Sequence, residues 1–198
     1  HRDLHSFPTR RSSDLKTFIC DVIVNAAGAW VDELALKCGI EPLGFLPLKR
    51  SMARVPAPDD SGNHKSWPMA FGLNEAFYAK PDAGAMIVSP SEETKSFPHD
   101  AYANDEDLAK GIFNFEEVVS YSVKRITSSW AGLRTFAPDR TLVIGFDSIV
   151  PSFFWFAGQG GYGFQTSAAA SKMASEIILG EKSSFGQLQK RVSPNRFK

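Results

Sequence analysis

The sequence predicts a mixed α/β (α+β) fold built from two interleaved parts. Three observations lead to this prediction: a strand followed by a helix in residues 17–38, a hairpin-rich middle in residues 46–89, and a strand, a glycine-rich turn and a helix in residues 153–179. The strand-and-helix alternation at both ends differs from the hairpin pattern between them. Hydrophobic periodicity alone also allows a single mixed α+β domain.

Each predicted element follows from apolar patterning and turn residues. Residues 17–24 are rich in apolar and β-branched side chains, as in a buried parallel strand, and Gly39 ends the next helix. The segment Pro81-Asp-Ala-Gly84 has Pro early and Gly late, which predicts a hairpin turn. Helical spacing of apolar residues predicts the middle helix. In chain order, strands are predicted at 17–24, 46–55, 77–80, 85–89, 123–130, 141–146 and 153–157, and helices at 30–38, 105–120 and 166–179.

Composition indicates a globular chain and argues against two classes of partner. Hydrophobic residues make up 43% of the 198 residues, enough for a sizeable core, and no apolar run approaches the roughly 18 residues of a membrane span. Lys plus Arg and Asp plus Glu balance at 22 each, so neither nucleic acid nor an anionic membrane is a predicted partner. Cys20 and Cys38 lack metal or redox spacing and are predicted to be small buried side chains, with no metal bound. The predicted location is cytoplasmic.

The first residues differ in character from the remainder. Residues 1–15 include His5-Ser-Phe-Pro-Thr-Arg-Arg-Ser-Ser-Asp-Leu15, which resembles the translation of a sequencing-library adapter joined to a gene fragment. They are predicted to be a non-native tail, and the alternative is a basic, disordered native tail. The adapter interpretation implies that the natural protein continues upstream of Lys16.

A glycine-rich turn separates the last predicted strand from the last helix. Gly158, Gly160, Gly161 and Gly163 leave no Cβ in the way, so a flat ligand can approach the main chain. The helix after them directs free N–H groups and partial positive charge at the same place. Their spacing also fits the pyrophosphate turn of a dinucleotide fold, but no second parallel strand with an acidic residue follows. A purely structural turn is the other alternative.

Three blocks of sequence resemble one enzyme family. Trp130-Ala-Gly-Leu-Arg134, then Gly158-Gln-Gly-Gly-Tyr-Gly-Phe-Gln-Thr-Ser167, resembles the carboxyl-terminal part of the FAD-dependent D-amino-acid oxidase and glycine oxidase (DAO) family. The segment Asp21-Val-Ile-Val-Asn-Ala-Ala-Gly-Ala-Trp30 matches a third family block, a strand beside the flavin nucleotide. Within the family, the likeness is strongest to the bacterial D-arginine dehydrogenase branch.

The resemblance implies the carboxyl-terminal part of a two-domain FAD-binding fold. Flavin-domain segments at 16–45 and 129–181 would flank an antiparallel or mixed-sheet substrate-binding domain at 46–128, with a tail at 182–198. The phosphate-binding turn and its βαβ unit would lie upstream of this chain.

The resemblance also implies site residues. Arg134 occupies the position of the arginine that binds the substrate carboxylate, and its planar fork of donors suits that task. Arg50 matches a second carboxylate-binding arginine, although Lys49 can be confused with it, and Tyr78 matches a tyrosine facing the substrate. The carbonyl of Gly161 would accept a hydrogen bond from the substrate amine. The residues implied at the flavin are Ala26, Ala27, Gly28, Trp30, Gly132, Gly158, Gln159, Gly160, Gly161, Tyr162, Gly163, Gln165 and Thr166.

These residue types also have structural alternatives. Arginine at a strand end is more often a solvated or salt-bridged surface group, and tyrosine in a hairpin is usually half-buried packing with one hydrogen bond. Gln159 stands where many relatives carry histidine, which makes a covalent flavin link at this position an unfavoured interpretation.

The predicted activity is oxidation of the CH–NH2 group of a D-amino acid, with a basic side chain as one possibility, to an imino acid that water converts to a 2-oxo acid and ammonia. Hydride transfer to FAD would carry the oxidation. The alternatives are a sarcosine- or glycine-oxidising relative, an enzyme oxidising an aminomethyl group of tRNA, and a truncated chain with no catalytic activity. The sequence leaves the electron acceptor unassigned.

Overall fold

The computed structural model describes residues 19–58 and 63–197. The adapter-like residues 1–15 lie outside these ranges. The strands are β1 (Ile23–Asn25), β2 (Leu46–Pro56), β3 (Ala70–Phe71), β4 (Tyr78–Asp82), β5 (Ala85–Ser89), β6 (Thr94–Lys95), β7 (Ser128–Phe136), β8 (Val143–Phe146) and β9 (Phe153–Ala157). The α-helices are α1 (Val31–Lys37), α2 (Asp105–Glu116), α3 (Gly163–Ile178) and α4 (Gln187–Val192).

The smaller sheet has three strands in the order β1-β9-β8. β1 runs parallel to β9, with Ile23 opposite Phe153, and β8 runs antiparallel to β9. The side chains of β9 alternate between its two faces. Phe153 and Trp155 pack with Val31 and Ala35 around α1, while Phe154 packs on the other face against α3 and α4. The smaller sheet is therefore a strand layer between helices.

The larger sheet has six strands and is antiparallel throughout. β3, β4, β5 and β2 pair in that order, and β6 pairs with the first half of β2. β7 pairs with β2 from Leu46 opposite Phe136 to Arg54 opposite Ser128. Since β7 occupies one edge of β2 along nearly its whole length, β5 and β6 share the other edge.

One face of the larger sheet is covered by α2. Asn104 caps this helix, because its side-chain oxygen accepts hydrogen bonds from the backbone N–H groups of Glu106 and Asp107. The apolar side of α2 packs onto the sheet and buries Leu108 and Phe115. The opposite face of the sheet therefore remains available for a site.

Most predicted elements are confirmed, with shifted ends. The predicted strand 46–55 corresponds to β2, which is one residue longer. The predicted strands 85–89 and 153–157 have the same bounds as β5 and β9. Predicted helix 105–120 ends at Glu116, and predicted helix 166–179 begins three residues earlier, at Gly163. The first predicted strand, 17–24, is described from residue 19 onward and is reduced to Ile23–Asn25.

Other predictions are corrected by the structure. Predicted strand 123–130 begins five residues too early and ends too soon, because residues 121–127 are irregular and β7 runs from Ser128 to Phe136. Segment 182–198, predicted as a tail, contains α4 and a 3-10 turn at Pro194–Phe197, with Val192 and Pro194 buried. Cys20 and Cys38 are exposed and free, not buried, since neither lies in a core cluster.

The two predicted domain segments share one sheet. β7 belongs to segment 129–181, yet along its length it pairs with β2 of segment 46–128. Across the described ranges, we find no helix with the length and apolar character needed to cross a bilayer.

Candidate active site

Two arginines and a tyrosine lie on the open face of the larger sheet. Strand pairing sets this arrangement, because residues directly opposite each other in antiparallel strands share a face. Arg134 lies opposite Leu48, two residues from Arg50 along β2, and Tyr78 lies opposite Ser89 on the same side. The three side chains come from β2, β4 and β7 and converge on one region.

The hydroxyl of Tyr78 joins these groups. Its oxygen accepts a hydrogen bond from Nη2 of Arg134 at 3.2 Å and its O–H donates to Sδ of Met52 at 3.0 Å. The guanidinium carbon of Arg50 lies 6.0 Å from the centre of the Tyr78 ring. Tyr78 is 4% exposed, so its ring is fixed by packing and its hydroxyl holds the Arg134 guanidinium.

Arg50 is buried beside a second positive charge. Its side chain is 8% exposed, and its Nε is buried without a hydrogen-bond partner in the described part of the chain. Burial lowers the pKa of Arg50, and the charge of Arg134 lowers it further. An anion beside Arg50 and Arg134 would offset the repulsion between their positive charges. A carboxylate fits the planar donors of both guanidinium groups.

Glu93 connects Arg50 to a third arginine. The Oε1 atom of Glu93 accepts hydrogen bonds from Nη2 of Arg140 at 2.7 Å and from Nη2 of Arg50 at 3.3 Å. The hydrogen bond from Arg140 lowers the pKa of Glu93, and the nearby charges of Arg50 and Arg134 act in the same direction. Glu93 is therefore ionised at neutral pH.

The glycine turn packs directly against this cluster. An added Cβ on Gly161 would lie 3.0 Å from Nη1 of Arg134, and one on Gly160 would lie 2.3 Å from the ring of Phe136. Gly160 also has a φ of +51° and donates its N–H to the carbonyl of Thr135 at 2.9 Å. The turn therefore needs glycine both for its conformation and for its contact with β7.

Gly158 is fixed from the opposite side by the loop after α1. The carboxylate of Asp32 accepts backbone hydrogen bonds from Leu43, Gly44 and Phe45. The ring of Phe45 stacks on Trp155 and lies 3.1 Å from the position of a Cβ on Gly158. Burial raises the pKa of Asp32, while the three backbone N–H groups oppose that shift.

The start of α3 carries free backbone donors. Tyr162 precedes the helix without a side-chain cap, and the first intrahelical bond runs from Thr166 N–H to the carbonyl of Tyr162. The N–H groups of residues 163–165 precede that bond and are left for a ligand or water. A cavity of about 320 Å³ lies beside them, lined in part by Ala26, Gly28 and Gln159.

A second cavity lies between the turn after β1 and strand β7. It has a volume of about 370 Å³, and its lining includes Gly28, Trp30 and Gly132. An added Cβ on Gly132 would meet nothing within 4 Å, so the backbone of β7 is open to a flat molecule. The two cavities border the Gly28 turn, and their walls fit a flat ring with an electron-rich edge near the α3 N-terminus.

The four predicted catalytic residues lie together in the structure. The predicted cofactor residues differ in their surroundings. Residues that line a cavity are Ala26, Gly28, Trp30, Gly132, Gln159, Gly163 and Thr166. Gly158 and Gly160 are held in packing, Ala27 closes the turn through its carbonyl and Trp30 N–H, and Tyr162 and Gln165 are exposed. In the described ranges, no group of three His, Cys, Asp or Glu side chains is arranged to hold a metal ion.

Sequence reasoning missed Glu93 and Arg140. The guanidinium carbon of Arg140 lies 4.0 Å from the centre of the Phe136 ring. Both residues lie in loops that meet in space, so no spacing rule connects them. The one sequence feature that could have indicated Glu93 is the pair of adjacent carboxylates, Glu92 and Glu93, that follows the predicted strand 85–89.

Comparison with known proteins supplies independent information. The family model described as "FAD dependent oxidoreductase" (DAO) matches residues 7–177. "FAD-dependent oxidoreductase domain-containing protein 1" from Xenopus laevis is 24% identical over 176 residues, covering 81% of this chain and 35% of that protein.

Solved structures agree with the fold. L-proline dehydrogenase from P. horikoshii superposes with a TM-score of 0.75 at 23% identity, covering 89% of this chain and 46% of that one. Glycine oxidase from Geobacillus kaustophilus gives a TM-score of 0.74 at 20% identity, covering 90% and 46%. This chain thus spans less than half the length of each of these three proteins.

Proposed function

Because the chain belongs to the DAO family of FAD-dependent oxidoreductases, we propose that the open face of its larger sheet binds the carboxylate of an amino acid whose α-carbon is oxidised. FAD is the cofactor. The observation that carries the proposal is the convergence of Arg50, Tyr78 and Arg134 on one face, against the Gly161 turn. The buried Arg50 guanidinium, whose Nε has no hydrogen-bond partner in the described residues, favours a carboxylate ligand beside it.

The chemistry divides between the cofactor and the chain. FAD, when bound, would supply the hydride acceptor for oxidation of the substrate α-carbon, with loss of a proton from the amine nitrogen, to an imino acid that water converts to a 2-oxo acid and ammonia. The chain's task is to hold the α-carbon in place, because hydride transfer requires the reacting atoms to lie about 3–3.5 Å apart in the right orientation.

Arg134 is the proposed carboxylate anchor. Its guanidinium is held by the Tyr78 hydroxyl and bounded by Gly161, so its fork of donors keeps one orientation. Arg50 adds a second set of donors from β2. A carboxylate held at two guanidinium groups fixes the substrate in two dimensions, which positions the α-carbon relative to the cofactor.

The turn before α3 is proposed to contact the flavin ring. Gly163 and Thr166, with the free N–H groups of the first turn, face the cavity beside Gly28. A helix N-terminus stabilises negative charge that develops on a nearby ring without having to reorganise. The carbonyl of Gly161 is proposed to accept a hydrogen bond from the substrate amine.

A D-amino acid is the proposed substrate, as the sequence predicts. The relatives found do not support a special likeness to D-arginine dehydrogenase: the solved structures are named for L-proline and glycine. The proposed carboxylate site is compatible with these amino acids as well, because its arginines would contact the carboxylate and not the side chain. Glycine or sarcosine is therefore the second candidate.

Anaerobic reduction of the FAD-loaded protein, prepared from the complete gene, tests this proposal. D-arginine, D-alanine, their L-enantiomers, L-proline, glycine and sarcosine are added in turn, and loss of the yellow flavin absorbance is followed. We expect D-amino acids to bleach the flavin fastest. Bleaching by glycine or sarcosine alone would replace the D-amino acid with the second candidate, and no bleaching by any of them would contradict the proposal.

A further inference from the structure

Glu93 is a carboxylate already present at the proposed substrate site. Its Oε1 atom bridges Nη2 of Arg50 and Nη2 of Arg140, at 3.3 Å and 2.7 Å. The side chain of Glu93 is 36% exposed, whereas Arg50 is 8% exposed. Glu93 thus places a negative charge at the solvent side of the buried Arg50 guanidinium.

Arg134 has a different partner from Arg50 and Arg140. Its Nη2 donates to the hydroxyl of Tyr78 at 3.2 Å, whereas Arg50 and Arg140 both donate to the carboxylate of Glu93. The positive charge of Arg134 also acts on Arg50 and on Glu93.

Glu92 does not supply a hydrogen-bonding partner for Arg134. Both carboxylate oxygens of Glu92 are buried without a hydrogen-bond partner in the described residues. Arg134 is therefore the guanidinium left to pair with a substrate carboxylate, while Glu93 already bonds to the other two.

We propose that Glu93 restricts the site to substrates with a single carboxylate. The inference rests on the proposed carboxylate site and deepens it by naming the substrate class. One substrate carboxylate pairs with Arg134, whose hydrogen-bond partner in the described residues is a hydroxyl. A second carboxylate on the same ligand lies in the field of Glu93, which disfavours binding.

The expected effect is measurable as a ratio of affinities. Removing one unit charge a few ångströms from a ligand changes binding by about tenfold where solvent is partly excluded. Glu93→Gln removes the charge and keeps an oxygen acceptor for the two arginines. It should therefore raise affinity for a dicarboxylate more than affinity for a monocarboxylate.

Isothermal titration calorimetry of the FAD-loaded protein, prepared from the complete gene, with propionate and with succinate tests the inference. We expect Glu93→Gln to raise the ratio of succinate affinity to propionate affinity by about tenfold. Glu93→Asp, which keeps the charge, should leave the ratio near that of the unmodified chain. Glu41→Gln, which removes an exposed loop carboxylate, serves as the matched control.

A double variant separates charge from local structure. Glu93→Gln combined with Arg140→Gln removes one negative and one positive charge, so the net charge at the site is the original one and the affinity ratio should return toward its original value. A role of Glu93 in packing alone predicts no such return. Circular dichroism confirms that each variant is folded.

Two outcomes would overturn the inference. If the unmodified chain binds propionate and Arg134→Gln abolishes that binding, while Glu93→Gln leaves the succinate-to-propionate ratio unchanged, the role of Glu93 fails and the carboxylate site stands. If neither acid binds in a way that depends on Arg134, the carboxylate site fails and the inference fails with it.

Discussion

At the scale of single residues, motifs and strand pairing bring the candidate site residues to one region of the larger sheet. The Gly-Leu-Arg motif and the glycine-turn motif indicate Arg134 and Gly161. In the structure, a Cβ added to Gly161 would lie 3.0 Å from Nη1 of Arg134, so the two residues are in contact. Arg50 and Tyr78 joined them through strand pairing. Glu93 and Arg140 were not predictable, because their ion pair depends on two loops that meet only in the folded chain.

Gly160 offers a direct test of the packing at the turn. A Cβ at this position would lie 2.3 Å from the Phe136 ring, and the φ of +51° is unfavourable for alanine. Gly160→Ala should lower the free energy of unfolding by about 2–4 kcal/mol, from the conformational cost and the overpacking together. Urea denaturation followed by tryptophan fluorescence measures the change.

Gly180→Ala is the matched control for the conformational part alone. Gly180 has a φ of +67°, and nothing lies within 4 Å of an added Cβ. We expect this substitution to cost about 1 kcal/mol. Equal losses for the two variants would show that the contact between Gly160 and Phe136 contributes nothing.

At the scale of elements, local signals fixed which elements exist, and side-chain contacts fixed where they end. The apolar residues of 123–126 imitate a strand, yet Glu116 accepts the backbone N–H of Val123 at 2.5 Å and Tyr121 donates to the carbonyl of Pro56. These bonds hold the segment in an irregular path after α2. Long-range bonds of this kind leave no periodic pattern in the sequence.

The carboxyl-terminal segment shows the same limit. It was predicted as a polar tail, but Glu176 on α3 accepts hydrogen bonds from the backbone and hydroxyl of Ser184, at 2.9 Å and 2.6 Å. Lys172 also bonds to Glu176. Arg196 donates a hydrogen bond to Asp139. One end of the segment is therefore attached to α3 and the other to the loop between β7 and β8.

This attachment should depend on pH. Hydrogen bonds from Lys172 and Ser184 lower the pKa of Glu176 from 4.5 to about 2. A carboxyl group with a lowered pKa in the folded state adds stability above its ordinary pKa, and this contribution is lost as the pH falls toward the folded value.

Glu176→Gln therefore should destabilise the protein at about pH 7 and have a smaller effect at about pH 3. Urea midpoints of the unmodified chain and the variant at both pH values measure the difference, and Glu181→Gln, at an exposed position, is the control. A destabilisation of equal size at both pH values would mean that the ionised Glu176 carboxylate is not the stabilising group.

At the scale of the whole molecule, the described residues form two sheets that are joined by long-range contacts. β7 pairs with β2 in the larger sheet, and the carbonyl of Thr135 on β7 accepts the N–H of Gly160 from the turn after β9. The proposed carboxylate site forms where these two sheets meet. Periodicity predicted the strands, but their pairing across the two segments depends on long-range contacts that periodicity does not encode.

Some of the apolar surface of the described chain is uncovered. Phe164 at the start of α3 is 99% exposed, and Ile23 and Val24 on β1 are nearly half exposed. Phe164 follows Gly163, which lines the cavity beside Gly28. Since the chain spans less than half the length of the relatives described above, the activity of the whole protein is best measured on the product of the complete gene.

The central claim is that Arg134 anchors the carboxylate of an amino acid substrate. The measurement is the amino acid concentration that gives half-maximal anaerobic flavin reduction, compared between the FAD-loaded protein, Arg134→Gln, and Arg125→Gln as an exposed arginine control. We expect Arg134→Gln to raise this concentration by about 30-fold, as loss of a charged hydrogen-bond pair does, with unchanged flavin content. Half-saturation at the same concentration in all three proteins would contradict the claim.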